Sequence, residues 1–241
     1  MGILKRAVVP LFLVLMVCAV SVYFYAEDKQ TAMAMAGADN RKTVIIDAGH
    51  GGFDGGAVAG DGTVEKDINL NISLTLAKFL KQSGFRVIMT RESDVSTEDT
   101  ESPQIASKKR NDLRNRLKLM GDYPDSVFVS VHLNKFTTSA AFGSQVFYSK
   151  SEESAVLADK IQKAIVALIQ PENTRVNKQA TSSTYLLYNA TIPAVLVECG
   201  FLSNEAELAL LKQTDYQKKM AFSIYCGILE YFKEKDDGGK F

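Results

Sequence analysis

Short apolar runs alternate with segments of helical periodicity from Thr43 almost to the end of the chain. Runs rich in β-branched residues predict strands at 44–46, 86–89, 127–131, 145–148 and 194–197. Between them, apolar residues recur every three or four positions, as Ile68, Ile72 and Leu76 do, and this spacing predicts helices. The predicted helices lie at 65–82, 105–120, 152–169, a short stretch after Asn204, and 215–232.

This alternation predicts an α/β fold with one mostly parallel, twisted sheet and helices on both faces. Roughly 190 residues are enough for one continuous core, so we expect a single domain at 42–234 and a disordered tail at 235–241. The polar stretch at 92–104 predicts a solvated surface loop, with a place at the rim of a substrate groove as the alternative.

The N-terminal segment has a different pattern. Residues 7–26 carry no charge and lie between Lys5-Arg6 and Glu27-Asp28. At about 1.5 Å per residue they match the ~30 Å bilayer core. We therefore predict a membrane anchor at 1–26, with a cleavable signal segment as the alternative, and a linker at 27–41. The basic flank predicts that the body is exported, on the outer face of the membrane or secreted.

The charge balance argues against nucleic acid as a partner, and the cysteine content argues against a disulfide framework. Basic and acidic residues both number 28, and leaving out Lys5 and Arg6 gives 26 against 28 from Glu27 onward. No basic run is interleaved with aromatic residues, so nucleic acid is not an expected partner. Three cysteines, one of them within the predicted anchor, predict core thiols rather than a disulfide framework.

The chain has only two histidines, and each follows a predicted strand: His50 after 44–46 and His132 after 127–131. Ligands in open α/β sheets collect beyond the carboxyl ends of strands, so both imidazoles are expected in one crevice and predict a metal site. The glycines around His50 also allow a phosphate loop, but no Gly-Lys-Ser/Thr triplet follows them.

A catalytic zinc needs about three protein ligands and one open position. We predict Glu65 as the third ligand because it begins the helix after the glycine loop, although its alternative role is to interact with the helix dipole. The carboxylates that compete with it are Asp54, Asp61 and Asp67.

Glu198 is the predicted general acid and base. It ends an apolar run just before Cys199-Gly200, and burying a carboxylate there is costly unless it is paired or functional. A structural salt bridge is the alternative role. Cys199 is a possible thiol nucleophile, but strand geometry points it away from Glu198.

Four motifs in order resemble the zinc-dependent N-acetylmuramoyl-L-alanine amidases of type 3: IDAGHGG at 46–52, VEKD at 64–67, SVHLN at 130–134 and VLVECGFLSN at 195–204. The resemblance spans Thr43 to Phe232. The single anchor, the insertion between Arg91 and Arg110 and the closing segment 223–232 resemble the germination-specific, spore-cortex subgroup. Ala48 and Cys199 depart from common family residues, and neither is a ligand position.

The resemblance implies one Zn²⁺ per chain held by His50, Glu65 and His132, with Glu198 as the catalytic glutamate. It implies hydrolysis of the amide between N-acetylmuramic acid and L-alanine in peptidoglycan. In the cortex subgroup this step prepares muramic-δ-lactam formation together with a muramic acid deacetylase, in the intermembrane or cortex region of the developing spore. An activating accessory protein is a further hypothesis. The rival classes are a peptidoglycan-recognition module without catalysis and a zinc peptidase that cuts within the stem peptide.

Overall fold

The computed structural model describes residues 41–99, 101 and 103–239. The predicted anchor at 1–26 and nearly all of the predicted linker lie outside these residues. Within the described part of the chain, no helix is both long and apolar enough to cross a membrane.

Six strands and six helices form the described fold. The strands are β1 (Thr43–Ala48), β2 (Arg86–Met89), β3 (Ser126–Asn134), β4 (Gln145–Tyr148), β5 (Lys178–Gln179) and β6 (Ala194–Phe201). The helices are α1 (Glu65–Gln82), α2 (Ile105–Asp122), α3 (Glu152–Ile169), α4 (Tyr185–Tyr188), α5 (Glu205–Leu211) and α6 (Thr214–Asp236).

The five predicted strands and five predicted helices are present, and the differences lie mainly at their ends. β3 and β6 continue beyond their predicted ends. His132 and Glu198 therefore lie within the last residues of these strands, whereas the sequence predicted that they follow the strands. α6 continues to Asp236, two residues into the predicted tail. The short elements β5 and α4 were not predicted, because two and four residues are too few to show a periodicity.

The strands form one sheet in the order β2-β1-β3-β6-β4-β5. β2, β1, β3 and β6 are parallel, whereas β4 runs antiparallel to β6 and carries β5 on its outer edge. The mostly parallel α/β sheet predicted from the sequence is therefore confirmed.

Both faces of the sheet are covered. α1, α3 and α6 pack on one face, where they enclose β-strand residues such as Val129 and Val197. α2 and α4 pack on the other face against Ile45 and Phe128. Alternate residues of each strand thus enter two separate cores, which is why the central strands are apolar almost throughout.

The topology determines where the site lies. From β1 the chain goes through α1 to β2 on one side, and from β2 it returns through α2 to β3 on the other side of β1. The strand order therefore reverses between β1 and β3, and ligands bind at the carboxyl ends of strands at such a switch point.

Candidate metal centre

His50 lies in a tight turn just beyond β1. Its φ is +62°, and it is the one non-glycine residue with positive φ in the described part of the chain. The left-handed region is costly for a side chain other than glycine and often marks a functional site. The turn closes through paired backbone hydrogen bonds between Gly51 and Asp54, of 2.9 and 3.1 Å.

Glu65 is the first residue of α1, and its side chain points back to the strand ends. The residue is only 3% exposed. The backbone N–H of Ala57 donates to Oε2 at 2.8 Å, and the backbone N–H of Leu133 donates to Oε1 at 3.0 Å. Asn69, one turn further along α1, donates from Nδ2 to Oε1 at 3.2 Å. These donors fix the carboxylate in one orientation.

Three predicted ligand side chains converge at this point. Glu65 Oε1 lies 3.0 Å from His132 Nδ1 and 3.3 Å from His50 Nε2. One donor atom from each of the three residues lies within 4.8 Å of the other two, an arrangement that could hold a metal ion. Two imidazole nitrogens and one carboxylate oxygen are thus presented together at the crevice.

The other three predicted carboxylates do not join this group. Asp54 contacts the opposite nitrogen of His50, with Oδ2 at 2.9 Å from Nδ1. Asp61 pairs with Lys212 at 2.7 Å, and Asp67 is exposed. Among the four candidates, the structure therefore brings only Glu65 to both histidines. Its alternative role, an interaction with the helix dipole, is compatible with this position, because Glu65 lies in the first turn of α1.

Two glycines allow this close approach. A Cβ added at Gly49 would lie 2.4 Å from His132 Nε2, and one added at Gly56 would lie 2.6 Å from both Glu65 Oε2 and His50 Cδ2. Any larger residue at either position would displace a side chain of the group. The glycine-rich loop thus makes room for the imidazoles and the carboxylate.

Glu198 lies beside His132. The two residues are register partners on the parallel strands β3 and β6, so their side chains point to the same face of the sheet. Glu198 Oε2 is buried and has no hydrogen-bond partner. No cation pairs with Glu198 in the described part of the chain, so the salt bridge weighed as its alternative role is not found there.

Electrostatics separate the two glutamates. Burial raises the pKa of Glu65, but hydrogen bonds and charge from His132 and His50 outweigh it and hold that pKa well below its usual range. Burial raises the pKa of Glu198 to about 7; the Glu65 carboxylate adds to this rise, and His132 opposes it. One carboxyl group is therefore a stable anion, whereas the other can exchange a proton near neutral pH.

His50 is also electrostatically coupled to its neighbours. Burial lowers the pKa of its imidazole, but hydrogen bonds to Asp54 and Glu65 raise that pKa to about 9. Two carboxylates thus flank one ring. Both carboxylates favour a positive charge between them. In the absence of a bound ion they therefore stabilise the protonated form of the imidazole.

Cys199 does not face the crevice. It is fully buried in the core on the other face of the sheet, with Val131 and Val197. Burial raises the pKa of its thiol well above the ordinary value. A buried protonated thiol is a poor nucleophile, so the geometry opposes the thiol alternative. Cys199 and Cys226 are both free, as expected.

A buried arginine supports the backbone of the site, and this contact was not predicted from the sequence. Arg116 is 2% exposed and pairs with Asp47 at 2.5 Å and Asp112 at 2.8 Å. Its guanidinium also donates to the backbone oxygens of Ala48 and His50, at 3.0 and 2.7 Å. Burial raises the pKa of Asp47, but Arg116, together with the charge of His132 and a hydrogen bond from Ser130, outweighs it and leaves that pKa below its usual value. The missed signal was an arginine among the apolar residues of α2, four positions after Asp112.

Arg91 supports the glycine loop from the side. Its guanidinium donates to the backbone oxygens of Ala48, Gly49 and Lys66, at distances from 2.8 to 3.0 Å. Asp94, in the predicted surface loop, accepts from the backbone N–H of Gly52 at 2.8 Å. The loop therefore packs against the turn that carries His50.

A family model described as N-acetylmuramoyl-L-alanine amidase matches residues 44–230, which include the whole site. The chain belongs to this amidase family. The amidase is also 40% identical, over 197 residues, to the germination-specific N-acetylmuramoyl-L-alanine amidase of Bacillus subtilis (strain 168). That match covers 81% of this chain and 82% of the relative.

Solved structures agree with the match. The amidase resembles the CwlD amidase from Clostridioides difficile, solved in complex with the GerS lipoprotein, with 43% identity and a TM-score of 0.78. The likeness covers 80% of this chain and 99% of that one. It also resembles the catalytic domain of CwlV from Bacillus (Paenibacillus) polymyxa, with 31% identity, a TM-score of 0.65, and coverage of 80% and 98%.

These matches confirm the family resemblance drawn from the four motifs. The chain is an enzyme of the N-acetylmuramoyl-L-alanine amidase class, and its substrate is peptidoglycan. His50, Glu65 and His132 form a group that could bind a metal ion.

Proposed function

We propose that the amidase is a zinc enzyme in which His50, Glu65 and His132 bind one Zn²⁺ and Glu198 is the general base and acid. The observation that carries this proposal is the convergence of two imidazole nitrogens and the Glu65 oxygen beside a buried Glu198 oxygen that has no hydrogen-bond partner. A buried polar atom without a partner is costly and calls for a functional explanation.

The donor set fits zinc. Two imidazoles and one carboxylate are a known catalytic set, and they leave a fourth position for water or substrate. When bound, zinc lowers the pKa of water and polarises a carbonyl. Glu65 is held by two backbone N–H groups and Asn69, so it needs little rearrangement to bind an ion.

Glu198 would move the proton. As a carboxylate it accepts a proton from the water that attacks the carbonyl carbon of the muramoyl lactyl group. The C–N bond then breaks, and Glu198 returns the proton to the nitrogen of L-alanine, which leaves as the amino terminus of the stem peptide. In the absence of an ion, burial raises the pKa of Glu198 to about 7, and a group whose pKa lies near the working pH can both accept and donate a proton.

The relatives support the proposed biological setting. Similarity to the germination-specific amidase of Bacillus subtilis supports a role in the spore cortex. There the cleaved muramic acid would pass to a separate deacetylase for muramic-δ-lactam formation. This role needs an exported enzyme, for which residues 1–26 would be the membrane anchor or signal. The CwlD–GerS complex supports a lipoprotein as the accessory partner.

Glu198→Gln tests the proposal most directly. Its neutral amide keeps the size of the side chain but cannot accept the proton, so we expect amide hydrolysis to fall by about 10²- to 10⁴-fold. Zinc content should stay at the wild-type level, since Glu198 is not a ligand. Turnover is measured by mass spectrometry of a peptidoglycan digest, and zinc by elemental analysis.

Cys199→Ala is the matched control, because it changes the adjacent residue on the other face of β6 and should keep activity. Near-normal turnover by Glu198→Gln would remove Glu198 from the proposed role. Wild-type digestion that creates new termini inside the stem peptide would instead identify a peptidase. Binding of peptidoglycan with no cleavage at all would identify a recognition module.

A further inference from the structure

We infer that Asp54 is a positioning residue for the metal site: it fixes the orientation and tautomer of His50, and Lys109 of α2 holds Asp54 in place. This inference rests on the proposed role of His50 as a ligand. It gives a function to a carboxylate that the sequence analysis considered only as a competing ligand.

The two nitrogens of His50 face different carboxylates. Nε2 lies 3.3 Å from Glu65 Oε1, on the side where the ligand atoms converge. Nδ1 lies 2.9 Å from Asp54 Oδ2, on the opposite side of the ring. Because the lone pairs of an imidazole point apart, Asp54 cannot share an ion with Nε2. Its remaining role is to accept a hydrogen bond.

That hydrogen bond determines the tautomer. When His50 acts as a ligand, its ring is neutral and carries a single hydrogen. The ionised Asp54 carboxylate has no proton to donate, so that hydrogen lies on Nδ1 and the lone pair of Nε2 is directed at the metal site. Carboxylates in this position orient ligand histidines and strengthen them as donors in many metal proteins. The strained φ of +62° at His50 adds to the need for a second fixed contact.

Asp54 is itself held at its other oxygen. Lys109 Nζ lies 2.8 Å from Oδ1, and the backbone N–H of Gly56 donates to the same atom at 3.4 Å. The paired backbone bonds with Gly51 fix the main chain of Asp54. A continuous chain of contacts therefore runs from the first turns of α2 through Asp54 to the imidazole of His50.

The contacts of His132 differ. Its Nδ1 faces Glu65, and no carboxylate beyond Glu65 is within ion-pair distance of its ring in the described part of the chain. The Asp54 contact is thus specific to the histidine that stands on a loop rather than within a strand. A loop residue needs more support than a strand residue to keep one orientation.

The test is the zinc dissociation constant of purified variants, measured by competition with a chromogenic chelator. Asp54→Ala removes the acceptor, and we expect zinc binding to weaken on the order of 10- to 100-fold. Asp54→Asn keeps a neutral acceptor oxygen and should lose less. Lys109→Met removes a half-exposed ion pair, so we expect a loss of about two- to fivefold.

Lys108→Met is the matched control. Lys108 is the neighbouring residue on α2 and lies over the ring of Phe53 at 5.8 Å rather than against Asp54, so its loss should leave zinc affinity unchanged. Proton NMR of the zinc-loaded protein gives a second readout. The hydrogen-bonded Nδ1–H signal of His50 should be present in wild type and Lys108→Met and absent in Asp54→Ala.

Wild-type zinc affinity in Asp54→Ala with an unchanged Nδ1–H signal would overturn the inference. Should the Asp54 variants fail to fold, as judged by circular dichroism, Lys109→Met decides, and an unchanged dissociation constant would then overturn it. If wild-type protein itself binds no zinc, the proposed function fails instead, so the two failures are distinguishable.

Discussion

Glu198 is the proposed general base and acid, and its position opposes the stability of the fold. The fold buries one of its oxygens without a partner and places it near the ionised Glu65, so its own ionisation is disfavoured. A hydrophobic residue of similar size would suit the strand better. The raised pKa of Glu198, which would suit the proposed proton transfer, therefore also reflects a cost to the stability of the metal-free fold.

This conflict gives a pH-dependent prediction for the metal-free protein. Below pH 4.5 Glu198 is protonated in both folded and unfolded chains. Between pH 4.5 and about 7 the unfolded chain ionises first, so the wild type loses stability as pH rises, and the loss is complete above pH 7. Glu198→Gln lacks this loss. Relative to wild type, its free energy of unfolding should rise by roughly 3 kcal/mol from pH 4.5 to pH 8.

Urea unfolding at the two pH values measures the difference, with exposed Glu172→Gln as the control that should follow wild type. Parallel pH dependence of Glu198→Gln and wild type would show that burial does not raise the pKa of Glu198.

Residue types and their positions predicted much of the site. His50, His132 and Glu198 each stand at or just beyond the end of an apolar run, and that signal is visible without coordinates. The role proposed for Asp54 was not visible, because it depends on which nitrogen of His50 faces which carboxylate. The sequence does not distinguish the roles of the four acidic residues in the glycine-rich loop and at the start of α1. Only the conformation of the turn at His50 shows which of them contacts which nitrogen.

At the scale of elements, α2 is tied to the carboxyl end of β1 by one buried side chain. Arg116 contacts Asp47 of β1, Asp112 of α2 and the backbone oxygens of Ala48 and His50. The helix thus supports the loop that carries a proposed zinc ligand. Two carboxylates and two carbonyl groups depend on the same guanidinium.

Removing Arg116 should therefore destabilise the fold strongly. Arg116→Gln leaves Asp47 buried without its cation, and breaking such a pair costs about 3–5 kcal/mol. Arg114→Gln changes an exposed arginine on the same helix and should cost no more than about 0.5 kcal/mol. Chemical denaturation of both variants makes the comparison. Similar losses in the two would mean that the buried network adds little to stability.

The periodicity of apolar residues predicted the positions of the long helices. α1 and α3 match their predicted bounds because their apolar faces extend over five turns. Asn204 caps α5 as expected, accepting from the N–H groups of Ala206 and Glu207. β5 and α4 were missed because their conformations depend on neighbours in space: β5 pairs with β4, and α4 packs on the sheet.

The whole domain brings distant parts of the chain to one point. His50 follows β1, Glu65 begins α1, and His132 lies on β3, 82 positions after His50. The reversal of strand order between β1 and β3 is what makes them neighbours. An ion bound by all three would link a loop, a helix start and a strand, so its binding energy would add to the stability of the whole domain.

Zinc should accordingly raise the melting temperature of the entire domain. At 100 times the dissociation constant, binding adds about 2.7 kcal/mol, which corresponds to roughly 5–11 °C for a domain of this size. Chelation should reverse the shift. Glu198→Gln should keep it, because Glu198 is not a proposed ligand, whereas His132→Ala should lose both the bound zinc and the shift. Differential scanning calorimetry with elemental analysis tests this, and a full shift in His132→Ala would place the ion elsewhere.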